Sequence, residues 1–453
     1  MARVVVVGAG IAGLTLAHRL VRDAPGLDVV VLEQSSRAGG LLRTERADGF
    51  LIEWGPNGFL DNAPLTLRMV DEAGLTADVV PSRDAARRRY LFHRGRLQAV
   101  PSSPAAMLTS RLLPVGAKLR VLMEPFGGRP PEGDESVHAF AARRLGRRVA
   151  EVFADPIVSG VFAGDARQLS LRAAFPRIWA LEHEHGGLLW GMLARRRARG
   201  GSTKPAGLGR LVSFRGGMEQ LPSAIAAGLG SRVRLNTAVA AVTPVTEGDA
   251  RWRVSLTSGE FVDARDVVLG VGPEAAARIV APLDAAASAA MASIPSAPMA
   301  VVVVGFETAA LGAPLDGFGF LVPRGEGARV LGALWESSVF SERAPEGRAL
   351  IRVMVGGATD RAAAQLSDEM LVALVREELD AIMGIQAPPV LTRVIRQPAG
   401  IPQYTRGHLE RVARIETQLA GLPGLHVAGH GFRGVGVNAC IEDASLLAAR
   451  IAD

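Results

Sequence analysis

Arg3 and four successive valines run directly into Gly8-x-Gly10-x-x-Gly13, and no other feature of the chain restricts its fold so strongly. The run Arg3 to Val7 predicts a buried strand, the apolar spacing from Ile11 to Val21 a helix, and Asp28 to Leu32 a second strand. Glu33 stands twenty residues past Gly13, at the end of that second strand. Strand, glycine turn, helix, strand and acid in this register form the fingerprint of a dinucleotide site. Gly8 permits the tight turn, Gly10 lets a pyrophosphate approach the backbone, and Gly13 lets helix and strand pack closely. Ile11 and Ala12 open the helix, where free N–H groups meet the diphosphate. Glu33, followed by Gln34, can accept hydrogen bonds from a ribose and disfavours a 2′-phosphate.

The far end repeats the theme. A strand at 425–428 and a helix at 437–452 enclose Gly429-His430-Gly431 and Gly434-Val435-Gly436-Val437-Asn438. A further turn, Gly55-Pro56-Asn57-Gly58, follows a strand at 49–52. Between the ends, residues 84 to 200 read as mainly helical, broken by Pro101, Pro104 and Pro114. An exposed loop is expected at 128–134 and a linker at 200–209. Strands follow near 232–242 (which includes Val239), 251–257 and 260–270, then at 299–306, 319–323, 330–335 and 349–355. A helix is expected near 366–383.

Composition bounds the class. The 453 residues allow two or three structural units, and 48% hydrophobic content supports a large core. The single cysteine, Cys440, cannot form an internal disulfide and reads as a packed thiol. The apolar run near the N-terminus is too short for a signal peptide. Residues 285 to 306 are uncharged, but Pro295 and Pro298 interrupt them, so a helix end, a turn and a strand are expected rather than a membrane span. From Arg83 to Arg129 there are ten Lys/Arg against two Asp/Glu, interleaved with apolar residues such as Leu108 and Leu112. Arg195, Arg196, Arg197 and Arg199 form a second basic cluster. This mixture suits either an anionic lipid surface or an ordinary solvated helical face. Nucleic acid is disfavoured, because aromatics are only 5% and no reader motif occurs.

Arg37-Ala38-Gly39-Gly40, just after Glu33, resembles the second fingerprint of the FAD-dependent amine oxidase and phytoene desaturase superfamily. Two glycines there let backbone pass close to a cofactor, while Arg37 offers charge to a phosphate. The resemblance narrows further along nearly the whole chain. Gly160-Val-Phe-Ala-Gly164 with Leu169-Ser170, Gly317-Phe-Gly-Phe-Leu-Val-Pro323, Val353-Met-Val-Gly-Gly357, and Ile401-Pro-Gln-Tyr404 with Gly407-His408-Leu409 are similar to the oxygen-dependent protoporphyrinogen oxidase family.

That resemblance implies an α/β fold: a Rossmann-type FAD-binding domain, a mixed-sheet substrate domain and a mainly helical insertion. The expected FAD-binding segments are 1–83, 205–275 and 396–453; the helical, basic, membrane-associating unit is 84–204, and the substrate domain is 276–395. It implies non-covalent FAD, held by both chain ends, with the last helix aimed at the flavin pyrimidine and the Gly55–Gly58 turn beside the ring. It implies a porphyrinogen substrate oxidised in three two-electron steps, dioxygen as acceptor and hydrogen peroxide as product. Phe318, Gly319, Leu321 and Met354 would line an apolar slot, with Asn57 beside it, and Gly164 would offer a carbonyl to a pyrrole N–H. Flavin N5 would accept hydride; no general base is assigned. His183 and His185 read as exposed helical histidines. The expected location is the cytoplasm, at the inner face of the cell membrane, within reach of a ferrochelatase or another enzyme of the pathway.

The chain also departs from the family. Mitochondrial members carry arginine at the position of Asn57, and many members carry tryptophan at that of Gln397. The family arginine that pairs with a propionate finds no match in Pro101-Ser-Ser-Pro104; Arg94 and Arg96 are the nearby basic residues. Coproporphyrinogen III, with four carboxylates in place of two, therefore stays open as substrate. So do a flavin amine oxidase, a carotenoid desaturase and a non-catalytic prenyl-binding relative, which would be colourless.

Overall fold

In the computed structural model of the chain, residues 3–128, 130–198, 209–246 and 248–452 are described. The linker expected at 200–209 falls almost entirely outside them, and so do Arg199 and the side chains of Arg195 and Arg196 in the second basic cluster.

Arg3–Val7 is the middle strand of a five-stranded sheet with the order Val233–Arg234, Asp28–Leu32, Arg3–Val7, Asp266–Leu269, Leu425–Val427. All neighbours are parallel, and Val5 lies opposite Val30 on one side and Val267 on the other. A parallel sheet is covered on both faces, which is why this strand is an unbroken valine run rather than an alternating one. Each buried valine contributes about 1.5–3 kcal/mol. On one face, Val4, Val6, Val29 and Val31 pack beneath the first helix, Ile11–Asp23, and the last, Val437–Ala452. On the other, Val5, Val7, Val30 and Leu32 meet a three-stranded antiparallel sheet (Val239–Pro244, Trp252–Leu256, Phe261–Ala264) and the helix Pro273–Val280. The two chain ends thus fold onto one sheet.

A second sheet has seven strands in the order Leu391–Pro402, Ser296–Glu307, Arg348–Gly356, Val330–Leu334, Gly319–Leu321, Tyr90–Phe92, Leu97–Ala99. Only Gly319–Leu321 with Tyr90–Phe92 is parallel, so the sheet is mixed. The uncharged stretch at 285–306 forms the helix Ala285–Ala292, a turn and the strand Ser296–Glu307. Among the described residues no helix is long and apolar enough to cross a membrane. Pro298 sits where the pairing register shifts between Ala297 and Met299, because proline has no N–H for the ladder. The sequence reading errs at 84–100. It expects the start of a helical unit, but Tyr90–Phe92 and Leu97–Ala99 are strands added to the edge of this sheet. Three-residue strands are too short for their alternation to stand out.

From residue 104 onward the expected helices form. Arg144, 1% exposed, binds them together: its guanidinium pairs with Glu182 and donates to the carbonyls of Gly127 and Gly186. Arg143 joins Glu182 at 2.8 Å and Glu135 at 2.7 Å.

Candidate active site

The glycines of the first fingerprint divide the labour by position. Gly8 has φ +100°, and a Cβ on it would lie 2.9 Å from the Gly270 carbonyl. A Cβ on Gly13 would stand 2.1 Å from the Gly8 carbonyl oxygen, so helix and strand touch there without a side chain between them. At Gly10 nothing lies within 4 Å; it caps the helix Ile11–Asp23 and opens on a cleft of about 670 Å³. Volumes of this order suit a small-molecule cofactor.

Glu33 borders the cleft and anchors its wall. Its Oε2 accepts the Ala9 amide at 2.8 Å and its Oε1 accepts the Ser35 amide at 2.8 Å. Lone pairs remain on both oxygens for a ribose hydroxyl. Gly39 and Gly40 pack on the first turn: the Gly39 amide donates to Ala9 O at 2.7 Å, and a Cβ on Gly40 would reach Gly10 Cα at 3.3 Å. Arg37 stands on the same glycine turn, where its guanidinium donates to Ala38 O and Leu42 O and pairs with Glu219, clamping the turn.

From the C-terminal loop, Gly429, His430, Val435 and Val437 line the cleft, as do Gln34, Pro56 and Val239. Gly55, Gly58 and Gly434 act behind it, where a Cβ would strike Leu41 O, Val212 O and the Ala439 side chain at 2.1, 2.4 and 2.4 Å. Gly436 accepts the Cys440 amide through its carbonyl, at the start of the last helix. Among the buried polar atoms without a partner in the described residues are Asn57 Nδ2 and Asn438 Oδ1. A buried amide left unpaired costs about 1–3 kcal/mol. Both amides flank the cleft loops, and a flavin ring, which carries carbonyls and an N–H, would satisfy them. Two helix N-termini, a side-chain-free turn at Gly10 and these orphaned groups therefore fit a flavin dinucleotide. Cys440 also borders the cleft. Its Sγ donates to Gly434 O at 3.7 Å, and burial pushes the thiol up to about 12, so it is an inert neutral group.

The expected substrate residues do not line this cleft: Gly319, Leu321 and Met354 lie on the seven-stranded sheet, Phe318 just before its strand, Gly164 just past the helix Asp155–Phe162, and Asn57 in the turn after the strand Phe50–Glu53. Leu321, Gly332 and Met354 are paired side by side across three strands. Leu334 sits opposite Gly319 and joins Met354 and Leu321 in one apolar cluster; the sequence reading passed over it. Helix Asp155–Phe162 meets this surface at Gly160, where a Cβ would lie 2.6 Å from Leu321 Cδ2. Ala163 ends that helix in the left-handed region (φ +47°), and its carbonyl accepts the Ala358 amide at 2.7 Å. Gly164 follows, with Gln403 Oε1 2.7 Å from where its Cβ would be. Gln403 Nε2 donates to Phe162 O at 2.7 Å, and the Ser170 amide donates to Tyr404 O at 2.8 Å. Segments 160–170, 353–357 and 401–409, far apart in sequence, thus converge. Tyr404 links them to the cleft by donating its hydroxyl to His430 O at 2.6 Å.

Arg94 and Arg96 do not reach this surface. Arg94 is a solvent-exposed hairpin residue and Arg96 borders a separate hollow. Arg89, which the sequence reading did not single out, is also solvent-exposed. Its Cζ stands 5.2 Å from the Phe318 ring centroid, and among the described residues it forms no ion pair with a carboxylate. It lies two residues before Leu91, which packs with Leu321. His183 stacks on Trp179 at 3.8 Å, within its own helix.

With this geometry in view, the chain belongs to the flavin-containing amine oxidoreductase family, whose sequence model matches residues 11–452. It is a flavin-dependent oxidoreductase. Within that family it is 33% identical over 468 residues to the chloroplastic protoporphyrinogen oxidase of Nicotiana tabacum, covering 99% of this chain and 85% of the relative. It is 29% identical over 453 residues to the coproporphyrinogen III oxidase of Bacillus subtilis, covering 97% and 95%. Its fold superimposes with a TM-score of 0.86 and 26% identity on the crystal structure of a candidate protoporphyrinogen oxidase from Exiguobacterium sp. 255-15, covering 100% and 98%.

Proposed function

We propose that this chain binds FAD non-covalently and oxidises protoporphyrinogen IX to protoporphyrin IX for haem synthesis, with dioxygen as acceptor and hydrogen peroxide as product. The observation that carries the reading is the convergence of 160–170, 353–357 and 401–409 around Ala163 and Gly164, tied to the cofactor cleft through Tyr404 and His430. When bound, the flavin supplies the two-electron acceptor. The chain supplies position. Leu321, Leu334 and Met354 offer a flat apolar wall to a broad macrocycle and exclude water from it. Gly164 offers its backbone carbonyl to a pyrrole N–H, and Arg89, over Phe318, pairs with a propionate at the edge of the slot. No side-chain base is required, because orientation does the work.

Purified protein assayed aerobically with protoporphyrinogen IX and coproporphyrinogen III, followed by porphyrin fluorescence, tests the assignment. Turnover of the first is expected. Turnover of the second alone supports the coproporphyrin reading, for which the Bacillus relative speaks, and failure with both overturns a tetrapyrrole substrate.

A second reading concerns location. Leu108, Val115, Leu119, Leu122 and Phe126 are more than half exposed, and Trp190 and Met192 are as well. Large side chains exposed together in this way suit an interfacial surface. We infer peripheral association with an anionic membrane surface through the helical unit.

A further inference from the structure

An open hollow of about 740 Å³ lies where the hairpin Tyr90–Ala99 meets the short helix Pro104–Thr109, apart from the cofactor cleft. Arg87, Arg88, Arg96 and Arg111 line it, with Gln98 and Ser102. Asp84 and Asp316 stand outside the lining and partly neutralise Arg87 and Arg88. Arg96 and Arg111 are exposed and form no ion pair among the described residues. Four guanidiniums around one concavity, with two cations uncompensated, select an anion with several acceptor oxygens.

What lies beside the hollow narrows the choice. Lys118 donates to the Leu108 carbonyl at 2.6 Å, tying the helix Val115–Leu122 to the one that walls the hollow. Val115, Leu119 and Leu122 recur at helical spacing on one exposed face, 71%, 58% and 61% exposed, and Phe126 beyond them is 79% exposed. Between residues 101 and 128 the sole carboxylate is Glu124. It is fully buried and accepts the Leu188 amide at 2.8 Å, so it puts no negative charge on this surface.

We propose that the hollow seats the phosphate headgroup of an anionic phospholipid while the stripe Val115, Leu119, Leu122 and Phe126 enters the adjacent acyl boundary. The proposal rests on the membrane reading above and gives it a site and a ligand class. Apolar side chains supply attraction to any bilayer; the arginines supply the preference for anionic lipid.

The test compares flotation of the flavin-loaded enzyme with vesicles of phosphatidylcholine alone and of an equal phosphatidylcholine–phosphatidylglycerol mixture. Wild type is expected to bind the mixed vesicles far more tightly. The Arg96→Gln/Arg111→Gln variant is expected to need roughly thirtyfold more mixed lipid for half-binding, at about fivefold per lost cation, and to bind neutral vesicles as wild type does. Leu119→Ser/Leu122→Ser should lose binding to both. Porphyrinogen turnover in detergent should be the same for all, which checks that the variants fold. Wild type that floats with neither vesicle overturns the membrane reading itself. Wild type that floats while the arginine variant keeps the full anionic preference overturns the headgroup site alone. Calorimetric binding of inorganic phosphate, abolished in the arginine variant without any change in vesicle binding, overturns the lipid as ligand in favour of free phosphate.

Discussion

The Tyr404 hydroxyl donates to the His430 carbonyl at 2.6 Å, joining the strand that carries the Ile401–Tyr404 motif to the loop that borders the cofactor cleft. Tyr404 is 2% exposed and stacks on His408 at 3.9 Å, while His408 Nε2 donates to Phe432 O at 2.9 Å. Burial holds the His408 imidazole down to about 4, so it stays neutral and serves as a fixed donor. Tyr404→Phe removes one buried hydrogen bond and keeps the ring, costing about 1 kcal/mol. The expected result is a protein that retains flavin but turns over several-fold more slowly, with a melting temperature lower by a few degrees. Unchanged turnover would show that the two loops need no such tie.

Gly10 and Gly13 allow a paired test of the cleft. Gly13→Ala drives a methyl into the Gly8 carbonyl, 2.1 Å away, so low yield or a clearly reduced melting temperature is expected. Gly10→Ala meets no protein atom within 4 Å. Its fold should survive while bound flavin, read from the absorbance spectrum, falls sharply. Full flavin content in Gly10→Ala would remove this turn from the cofactor's path.

For Arg89, truncation should separate binding from chemistry. A charged hydrogen bond contributes about 1.5–3 kcal/mol, so Arg89→Ala is expected to raise KM for protoporphyrinogen IX roughly ten- to a hundredfold with little change in kcat. Arg89→Lys should recover part of the loss, because it restores charge without the planar fork. An unaltered KM in Arg89→Ala would leave the propionate without this partner.

Stability in acid should report Glu182. Burial pushes its carboxyl up, but hydrogen bonds and charge from Arg143 and Arg144 outweigh this and hold it below its ordinary value of 4.5. A folded pKa below the unfolded one means stability that is present above pH 4.5 and is lost as pH falls through the lower, folded value. Glu182→Gln takes the close carboxylate from the fully buried Arg144 guanidinium and leaves Arg143 with Glu135 alone, and is expected to cost about 3–5 kcal/mol at neutral pH. Urea unfolding of both proteins as a function of pH checks this: the gap between them should narrow toward acid. A gap that does not change with pH would contradict the ion-pair account.

If Cys440 carries no bond to the flavin, acid precipitation should leave all the yellow chromophore in the supernatant, and Cys440→Ser should retain it. Colour in the pellet would contradict the inert, neutral thiol described above.

Local sequence determined the first strand, its glycine turn and Glu33, because each is set by neighbours in the chain: valines too apolar for water, a turn that tolerates no side chain, an acid one strand away. The last helix and its glycine loop were legible for the same reason. The spacing of Arg37 identifies the turn but not its pairing with Glu219, 182 residues on, which only the tertiary structure supplies. Arg89 was missed because its partner ring, Phe318, becomes its neighbour only through the parallel pairing of Tyr90–Phe92 with Gly319–Leu321. The hairpin at 90–99 was hidden for a related reason: two strands of three residues gain their stability from the sheet they join and leave almost no period of their own.

What the chain alone determined is the chemistry of each segment, since backbone freedom, burial and charge are properties of residues and their immediate spacing. Tertiary structure decided which segments share a site. Leu321 beside Gly332 and Met354, Gly164 against Gln403, and Tyr404 on His430 are contacts closed over stretches of many residues. Such contacts arise only when two sheets, each stable through its own ladder and core, have been fixed against one another.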